Sequence, residues 1–237
     1  ADLLARLATG RADDPICAIA LSSPAPKLLA PAMEDGMWHN PLTQGHIQTL
    51  TELDYRVISP EAGSLASGRS GRGRMAEPET IFESICATLA PNDLLGKRVL
   101  VSAGPTREHL DPARFISNPS SGKMGIALAR QASRRGADVT LVLGPTTLDA
   151  PPHVSTVRVT STQDMLDACQ THVESCDILI MAAAPADFTP TSPSQEKVKK
   201  QGSSDTLALT RTPDILQTLN ARARGKFVVG FAAETRQ

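Results

Sequence analysis

The residues best suited to chemistry lie together in one stretch, Arg114–Gly125, with the sequence RFISNPSSGKMG. The stretch follows an apolar segment, Arg98–Ala103, that predicts a β-strand, and it leads into a helical pattern that ends at Gly136. Where a strand and a loop lead into a helix, unpaired backbone N–H groups and the positive end of the helix dipole face a ligand. The spacing therefore predicts an anion site, and the expected ligand is a phosphate.

Two common phosphate-binding motifs do not fit this stretch. A dinucleotide fingerprint needs GxGxxG directly after the strand, but Gly104 stands alone there and Gly122 comes well downstream. This disfavours a nicotinamide-dependent oxidoreductase. A P-loop needs Gly-Lys followed by Ser or Thr, whereas Met124 follows Lys123, so an ordinary nucleoside triphosphatase is also disfavoured. A Ser-Ser-Gly sequence that stands alone is about as often a simple helix cap as part of a phosphate site.

Further motifs follow at the ends of other predicted strands. They are AGPTRE (Ala103–Glu108), AAAPADF (Ala182–Phe188), EKVKK (Glu196–Lys200) and VVGFAAET (Val228–Thr235). In this order and spacing, together with Arg114–Gly125, they resemble the ligase domain of bacterial phosphopantothenate-cysteine ligases. That domain is usually fused behind a flavin-dependent phosphopantothenoylcysteine decarboxylase in coenzyme A biosynthesis. PAMEDGMW, at Pro31–Trp38, resembles a signature of the decarboxylase, so the resemblance to the bifunctional family covers nearly the whole chain.

The resemblance implies a ligation in two half-reactions. CTP, with Mg²⁺, activates the carboxylate of 4'-phosphopantothenate as an acyl-cytidylate, and the amine of cysteine then displaces CMP. Lys197 matches the family's lysine over the nucleotide phosphates, where an ammonium suits the charge that develops at the α-phosphate. Asn118 is expected to hydrogen-bond the acyl oxygen, and Arg114 to pair with a phosphate or carboxylate. Without the resemblance, Lys197 would be an ordinary lysine of a solvated loop.

Several other positions are expected to hold the nucleotide. Ser120, Ser121 and Gly122 offer backbone N–H groups to the triphosphate. Small residues at positions 183 and 184 let the nucleotide pass close to the backbone. The implied nucleotide site consists of Gly104, Ser120, Ser121, Gly122, Ala183, Ala184, Asp187, Lys197 and Phe231, with Phe231 beside the base. The family places further lysines after the GFAAE strand, and they are absent here, so we expect this fragment to bind CTP weakly.

The decarboxylase part departs from its family at two positions. Glu34 stands where the PAMNxxMW signature has the asparagine that contacts the substrate carboxylate. Ser67, in LASGRSGRGRM at Leu65–Met75, stands where the family's flap has its reactive cysteine. A hydroxyl cannot perform thiol redox chemistry, so these two positions argue against the standard decarboxylase mechanism, while the resemblance still implies FMN as the cofactor of this domain. The alternatives are a coupled change of both residues or a non-catalytic flavin- or nucleotide-binding subunit.

Composition excludes several classes of protein. The 237 residues carry a formal net charge of -1, which gives no electrostatic basis for binding nucleic acid or an anionic membrane. We find neither an apolar run of membrane-spanning length nor a secretion signal, so we expect a cytoplasmic protein. The four cysteines form no CxxC pair, and no metal site is expected. The expected partners are the small substrates and other copies of the chain, as a ligase dimer and a decarboxylase trimer.

The elements alternate between strands and helices, which predicts an α/β protein. In the first part we expect strands at Pro15–Ser23, Lys27–Met33 and Tyr55–Ser59, and an amphipathic helix at Ala76–Ala90. We assign 1–90 to the C-terminal half of a flavodoxin-like decarboxylase domain and 91–96 to a linker. Residues 97–237 are assigned to a Rossmann-like, doubly wound ligase domain, with the motifs at the carboxyl ends of its strands. The chain is expected to be an internal piece of a longer protein.

Overall fold

The computed structural model describes residues 1–199 and 206–232. Lys200 of the EKVKK motif and residues 233–235 of the VVGFAAET motif lie outside the described residues. The chain divides into two compact units, Ala1–Ala90 and the described part of Pro91–Gln237.

The first unit packs helices beside a small parallel sheet. Its elements are α1 (Asp2–Ala8), α2 (Pro15–Ser22), β1 (Lys27–Leu29), α3 (Asp35–Trp38), α4 (Pro41–Glu52), β2 (Tyr55–Val57), β3 (Glu61–Ser64), β4 (Ser70–Arg74) and α5 (Pro78–Leu89). Strands β1 and β2 pair in parallel, whereas β3 and β4 form an antiparallel hairpin. The core consists of Leu4, Leu7, Cys17, Leu50 and Tyr55. The predicted amphipathic helix at Ala76–Ala90 is confirmed as α5.

The strand predicted at Pro15–Ser23 is wrong, because this segment is helix α2. Proline at the first helical position is pre-organised for a helix, and the Asp14 side chain accepts hydrogen bonds from the N–H groups of Ile16 and Cys17. The apolar run resembled a buried strand, but Ile16 is 61% exposed. Local capping therefore decides the structure of this segment. The strand predicted at Lys27–Met33 is shorter than expected and ends at Leu29.

The second unit is built on a five-stranded parallel sheet. Its elements are β5 (Arg98–Ala103), β6 (Glu108–His109), β7 (Phe115–Ile116), α6 (Lys123–Arg134), β8 (Asp138–Leu143), β9 (Ser155–Arg158), α7 (Thr162–Val173), β10 (Ile178–Met181), β11 (Phe188–Pro190), β12 (Leu209–Arg211), α8 (Ile215–Leu219) and β13 (Phe227–Gly230). The strand order is β9-β8-β5-β10-β13. The chain thus winds outward from β5 in both directions, which confirms the predicted doubly wound sheet.

Both faces of this sheet are covered by helices. Val99 and Val101 of β5 point to a core formed with α6, whose buried members include Ile126 and Ala129. Leu100, between them in sequence, packs instead with α7 and α8. Side chains of a strand alternate between faces, so this apolar run is buried on both sides. The sheet therefore holds the strand ends, and the motif loops that follow them, on a rigid layer.

Other elements of the second unit differ from the sequence-based expectation. Strand β9 and the β11–β12 hairpin were not predicted, since short and polar strands give a weak pattern. Helix α6 begins at Lys123, within the motif stretch, and ends at Arg134, two residues before Gly136. Strand β13 pairs only with β10 among the described residues, and Phe227 at its start is 68% exposed. The predicted strand is present there, but it lies at the sheet edge.

The four cysteines are free thiols, and three of them are buried. Burial raises the pKa of Cys169 to about 12, which keeps this thiol protonated and unreactive at neutral pH. The three buried cysteines, Cys17, Cys169 and Cys176, therefore serve as small apolar side chains of the core.

Candidate functional site

The loops after β5 and β10 run side by side at the point where the sheet changes winding direction. The N–H of Ala184 donates to the carbonyl oxygen of Gly104 at 2.9 Å, and Pro105 forms a parallel bridge with Ala184. The N–H of Ala183 donates to Oγ of Ser102 at 3.3 Å. Ligands of doubly wound sheets bind outside the carboxyl ends of the strands at such a switch point. The AGPTRE and AAAPADF motifs form that edge.

Gly122 brings a third motif onto this edge. It is the N-cap of α6 with a φ of 77°, and a Cβ at this position would lie 3.2 Å from the Cα of Gly104. No side chain caps the helix through a hydrogen bond at the N-cap position. The hydroxyls of Ser120 and Ser121 lie 3.4 and 3.5 Å from the N–H groups of Gly122 and Lys123, at the limit of hydrogen bonding. The start of α6 thus keeps donors that can serve an anion.

Asn118 joins the loop before α6 to the loop after β10. Its Nδ2 donates to the carbonyl oxygens of Pro185 at 2.8 Å and Ala184 at 3.3 Å. Two carbonyl acceptors fix the orientation of the amide, because only its nitrogen can donate. Within the described residues Oδ1 accepts no hydrogen bond, so this oxygen is the group that Asn118 can offer to a ligand.

A buried polar network, which sequence reasoning missed, holds the same loops in place. Glu108, Thr106 and Thr162 are 5%, 0% and 1% exposed. One oxygen of Glu108 accepts from both the N–H and the hydroxyl of Thr162, at 2.8 and 2.9 Å. Oγ1 of Thr106 lies 2.9 Å from Oγ1 of Thr162 and accepts from the N–H of Ala186 at 2.9 Å. The Thr and Glu of the AGPTRE motif therefore position the AAAPADF loop.

Two clefts open beside this edge. The first, called the Phe231 cleft, has a volume of about 700 Å³, and its lining includes Ala183, Asp187, Phe188, Arg211 and Phe231. The second, called the Ser120 cleft, has a volume of about 940 Å³, and its lining includes Arg107, Asn118, Ser120, Ser121, Lys123 and Arg158. Five of the predicted nucleotide residues line the clefts: Ala183, Asp187 and Phe231 the first, and Ser120 and Ser121 the second. Gly104, Gly122 and Ala184 lie on the motif loops that meet at this edge.

The Ser120 cleft is lined by cations that sequence reasoning did not assign. Arg107, Lys123 and Arg158 belong to its lining, together with His109. The guanidinium of Arg107 lies over the ring of Phe115, 4.5 Å from the ring centroid, which holds this long side chain in place. Three cations beside an open helix N-terminus suit a polyanionic ligand.

Arg114 and Lys197 belong to two segments that are hydrogen-bonded to each other through Val198. Nε and Nη2 of Arg114 donate to Oδ2 of Asp111 at 3.0 and 2.6 Å, and Nη2 also donates to the carbonyl oxygen of Val198 at 3.0 Å. The Arg114 guanidinium, together with backbone N–H donors, holds the pKa of Asp111 well below its usual range. Lys197 is exposed. In the described part of the chain neither cleft lining includes Lys197.

In the first unit, the two departures from the decarboxylase motifs contact each other. The Ser67 hydroxyl donates to a carboxylate oxygen of Glu34 at 2.9 Å. Two further bonds hold the β3–β4 hairpin on the same segment: the N–H of Arg72 donates to Asp35, and the N–H of Met33 donates to the carbonyl oxygen of Gly73. Glu34 and Ser67 therefore form one polar pair rather than two separate losses.

Two features are absent from the described residues. Across residues 1–199 and 206–232, no three His, Cys, Asp or Glu side chains gather in a group that could bind a metal ion. Over the same residues, no helix combines the length and apolarity needed to cross a membrane.

The fold and the site define a doubly wound α/β protein with a cleft lined by cationic side chains beside its switch point. Comparison with known families adds that residues 94–237 match the C-terminal domain of DNA/pantothenate metabolism flavoproteins, and residues 1–90 match the flavoprotein family. The chain belongs to the DNA/pantothenate metabolism flavoprotein family. The flavoprotein match confirms the predicted flavodoxin-like half.

Individual relatives agree with this assignment. The coenzyme A biosynthesis bifunctional protein CoaBC of Vibrio cholerae is 44% identical over 99% of this chain, and that of Escherichia coli is 43% identical over 99%. The chain spans 60% and 59% of the lengths of these two proteins. A crystal structure of the C-terminal domain of a CoaBC protein is 48% identical, with a TM-score of 0.53, and the match covers 61% of this chain and 68% of that one. The predicted resemblance to the bifunctional family is confirmed.

Proposed function

We propose that the full-length protein catalyses two consecutive steps of coenzyme A biosynthesis. CTP-dependent ligation joins 4'-phosphopantothenate to cysteine through an acyl-cytidylate, and FMN-dependent decarboxylation converts the product to 4'-phosphopantetheine. One observation carries the ligase part: three motif loops meet at the carboxyl ends of β5 and β10, beside the start of α6. The division into a decarboxylase part, 1–90, a linker, 91–96, and a ligase part, 97–237, belongs to this proposal.

The first half-reaction must bring polyanions together, and the two clefts suit its parts. We assign the triphosphate to the Ser120 cleft, where Arg107 and Lys123 add positive charge to the open N-terminus of α6. The base fits the Phe231 cleft, where the Asp187 carboxylate can accept a hydrogen bond from the amino group of cytosine. Mg²⁺ would enter with the phosphates, since the described residues offer no metal cluster of their own.

Asn118 takes a different role from the expected hydrogen bond to the acyl oxygen. Both donor positions of its amide are used on Ala184 and Pro185, so the side chain has no N–H left for that oxygen. Its Oδ1 can instead accept a hydrogen bond from the amine of cysteine and orient the lone pair toward the acyl carbon. Asn118 therefore serves the second half-reaction, both by holding the loop after β10 and by placing the nucleophile.

Lys197 serves the first half-reaction. Its ammonium lies on an exposed segment whose next residue, Val198, is bonded to Arg114 and Asp111. An ammonium that approaches the α-phosphate neutralises charge as the carboxylate attacks and pyrophosphate leaves. The cations that line the Ser120 cleft supply the other positive charges for the phosphates. We therefore assign to Lys197 the contact that is specific to the transition state.

The decarboxylase part rests on the Glu34–Ser67 pair. FMN would supply the oxidation of the substrate thiol, and we assign no residue of this chain to the flavin. The pair suits an uncharged hydrogen-bonding group of the substrate, with Ser67 fixed as the donor to Glu34. A coupled change of both residues explains their contact better than independent decay.

The family resemblance further supports assembly of the full-length protein, through a ligase dimer and a decarboxylase trimer, in the cytoplasm. Its small-molecule partners would be CTP, 4'-phosphopantothenate and cysteine. No residue of the described chain is assigned to these subunit contacts.

The test is pyrophosphate release by the full-length protein with 4'-phosphopantothenate and each of the four nucleoside triphosphates. We expect release with CTP, continuous only when cysteine is present. Lys197→Gln should lower the rate roughly 100- to 1000-fold, whereas Lys199→Gln, at an exposed lysine two residues away, should leave it unchanged. Absence of release with every nucleotide would replace this proposal by a non-catalytic, nucleotide-binding subunit.

A further inference from the structure

The segment that carries Lys197 is attached to the tip of the β6–β7 hairpin at two points. The N–H of Ser194 donates to the carbonyl oxygen of Leu110 at 2.9 Å. The N–H of Val198 donates to Oδ2 of Asp111 at 3.1 Å. These attachments lie three residues before Lys197 and one residue after it. The position of the lysine backbone is therefore set by the hairpin tip.

Asp111 is the centre of this attachment and is only 1% exposed. Its Oδ1 accepts from the N–H groups of Ala113 and Arg114, both at 2.8 Å. Its Oδ2 accepts from Nε and Nη2 of Arg114 and from the N–H of Val198. A carboxylate has about four lone-pair sites, and five donors fill them. Asp111 is thus saturated by protein donors and has no capacity left for a substrate.

The guanidinium of Arg114 completes a clamp on Val198. Its Nη2 donates to the carbonyl oxygen of Val198, while the carboxylate of Asp111 accepts the Val198 N–H. Both backbone groups of one residue are therefore held by a single charged pair. The bonds of Arg114 within the described chain use Nε and Nη2 and leave Nη1 for a ligand. The pair binds the lysine segment on one side and presents a cation on the other.

We infer that Asp111 is a positioning residue for the ligation and acts through Val198 to hold Lys197 in place. This inference rests on the proposed function of Lys197. Consecutive Cα atoms lie 3.8 Å apart, so fixing Val198 confines the Lys197 backbone within one virtual bond. A displacement of about 1 Å in a catalytic group can lower a rate about 100-fold. A carboxylate that only closed the hairpin turn would need the two N–H bonds to Oδ1 and no bond to Val198.

The test uses Asp111→Asn in the full-length protein, with Asp164→Asn as the matched control. Asp164 also accepts local backbone N–H groups at the start of α7, above all that of Ser161, which lower the pKa of its carboxyl, but among the described residues it has no bond to the lysine segment. We expect Asp111→Asn to slow single-turnover pyrophosphate release about 10- to 100-fold. In a Lys197→Gln background the same change should have almost no further effect. Additive losses in the double variant would overturn the inference, because a purely structural defect adds to the loss of Lys197.

Hydrogen–deuterium exchange provides a readout that is independent of activity. The Val198 amide should exchange faster in Asp111→Asn and at the wild-type rate in Asp164→Asn, and unchanged exchange in Asp111→Asn would overturn the clamp. If Asp111→Asn does not fold, Arg114→Lys replaces it, since an ammonium keeps the charge but not the fork that bonds both Asp111 and Val198. If the wild-type protein releases no pyrophosphate, the proposed function fails and the catalytic role of Asp111 is overturned with it, while the exchange rates still decide whether the clamp exists.

Discussion

The sharpest prediction concerns Asn118, because its Nδ2 links two loops while its Oδ1 accepts no hydrogen bond from the described residues. Replacing it by alanine removes the bonds to Pro185 and Ala184, at 2.8 and 3.3 Å. Each such bond contributes about 0.5–1.5 kcal/mol net, so about 1–3 kcal/mol of loop positioning is lost. If this energy acts in the second half-reaction, transfer to cysteine slows roughly 5- to 150-fold. Activation of the carboxylate uses Lys197 and the α6 N-terminus, and it should remain within about threefold of wild type.

The assay is a single-turnover quench that follows pyrophosphate and acyl-cytidylate separately in the full-length protein. Asn118→Ala should accumulate acyl-cytidylate, whereas Lys197→Gln should form almost none. Asn118→Asp keeps an acceptor oxygen but directs a carboxylate at two carbonyl oxygens, so it should transfer at least as slowly as Asn118→Ala. Asn220→Ala, at an exposed asparagine after α8, is the control and should behave as wild type. Equal loss of both species in Asn118→Ala and Lys197→Gln would refute the division of roles, and normal transfer by Asn118→Asp would refute the role of the two donors.

Further predictions address the first unit, the buried network and pH. Ser67→Cys alone should not restore family decarboxylation in the full-length protein, since Glu34 still faces the substrate; turnover equal to that of Glu34→Asn with Ser67→Cys would contradict this. Thr162→Val removes the buried hydroxyl that bonds Glu108 and should lower the free energy of unfolding by about 1–3 kcal/mol in a denaturant titration, whereas Thr171→Val, at an exposed hydroxyl, should change it by less than about 0.5 kcal/mol. Because the folded-state pKa of Asp111 is depressed, its contribution to stability is fully present above the unfolded pKa of about 4 and is lost as pH falls further. Stability curves of wild type and Asp111→Asn should therefore run parallel above pH ~5 and converge below pH ~4, and a constant difference would contradict the sign.

The sequence predicts the sheet of the second unit well, because its central strands are apolar on both faces. Arg98–Ala103 and Asp138–Leu143 have this pattern, and both are strands. The same logic fails at Pro15–Ser22, where capping by Asp14 and a proline at the first position produce a helix. An apolar run alone does not distinguish a strand from a helix. The polar residue before it, here Asp14, decides which of the two forms.

The candidate site, like the fold, is predicted by the sequence only in part. Motif order predicts that the loops around Gly104, Asn118 and Ala184 meet, since carboxyl ends of parallel strands share one edge. Sequence cannot predict which partner each polar atom takes. The saturation of Asp111, the use of both Asn118 donors and the contact between Glu34 and Ser67 all depend on residues distant in the chain. These pairings decide which groups remain free for a ligand.

The central claim, activation of a carboxylate by attack on the α-phosphate of CTP, has one direct test. 4'-Phosphopantothenate labelled with ¹⁸O in its carboxylate is incubated with CTP, cysteine and the full-length protein, and the products are analysed by mass spectrometry. An acyl-cytidylate breaks at its acyl carbon when the amine attacks, so the bridging oxygen leaves with the nucleotide. The account predicts CMP that carries one ¹⁸O atom and unlabelled pyrophosphate. Unlabelled nucleotide together with ¹⁸O in orthophosphate would indicate an acyl phosphate and would contradict the account.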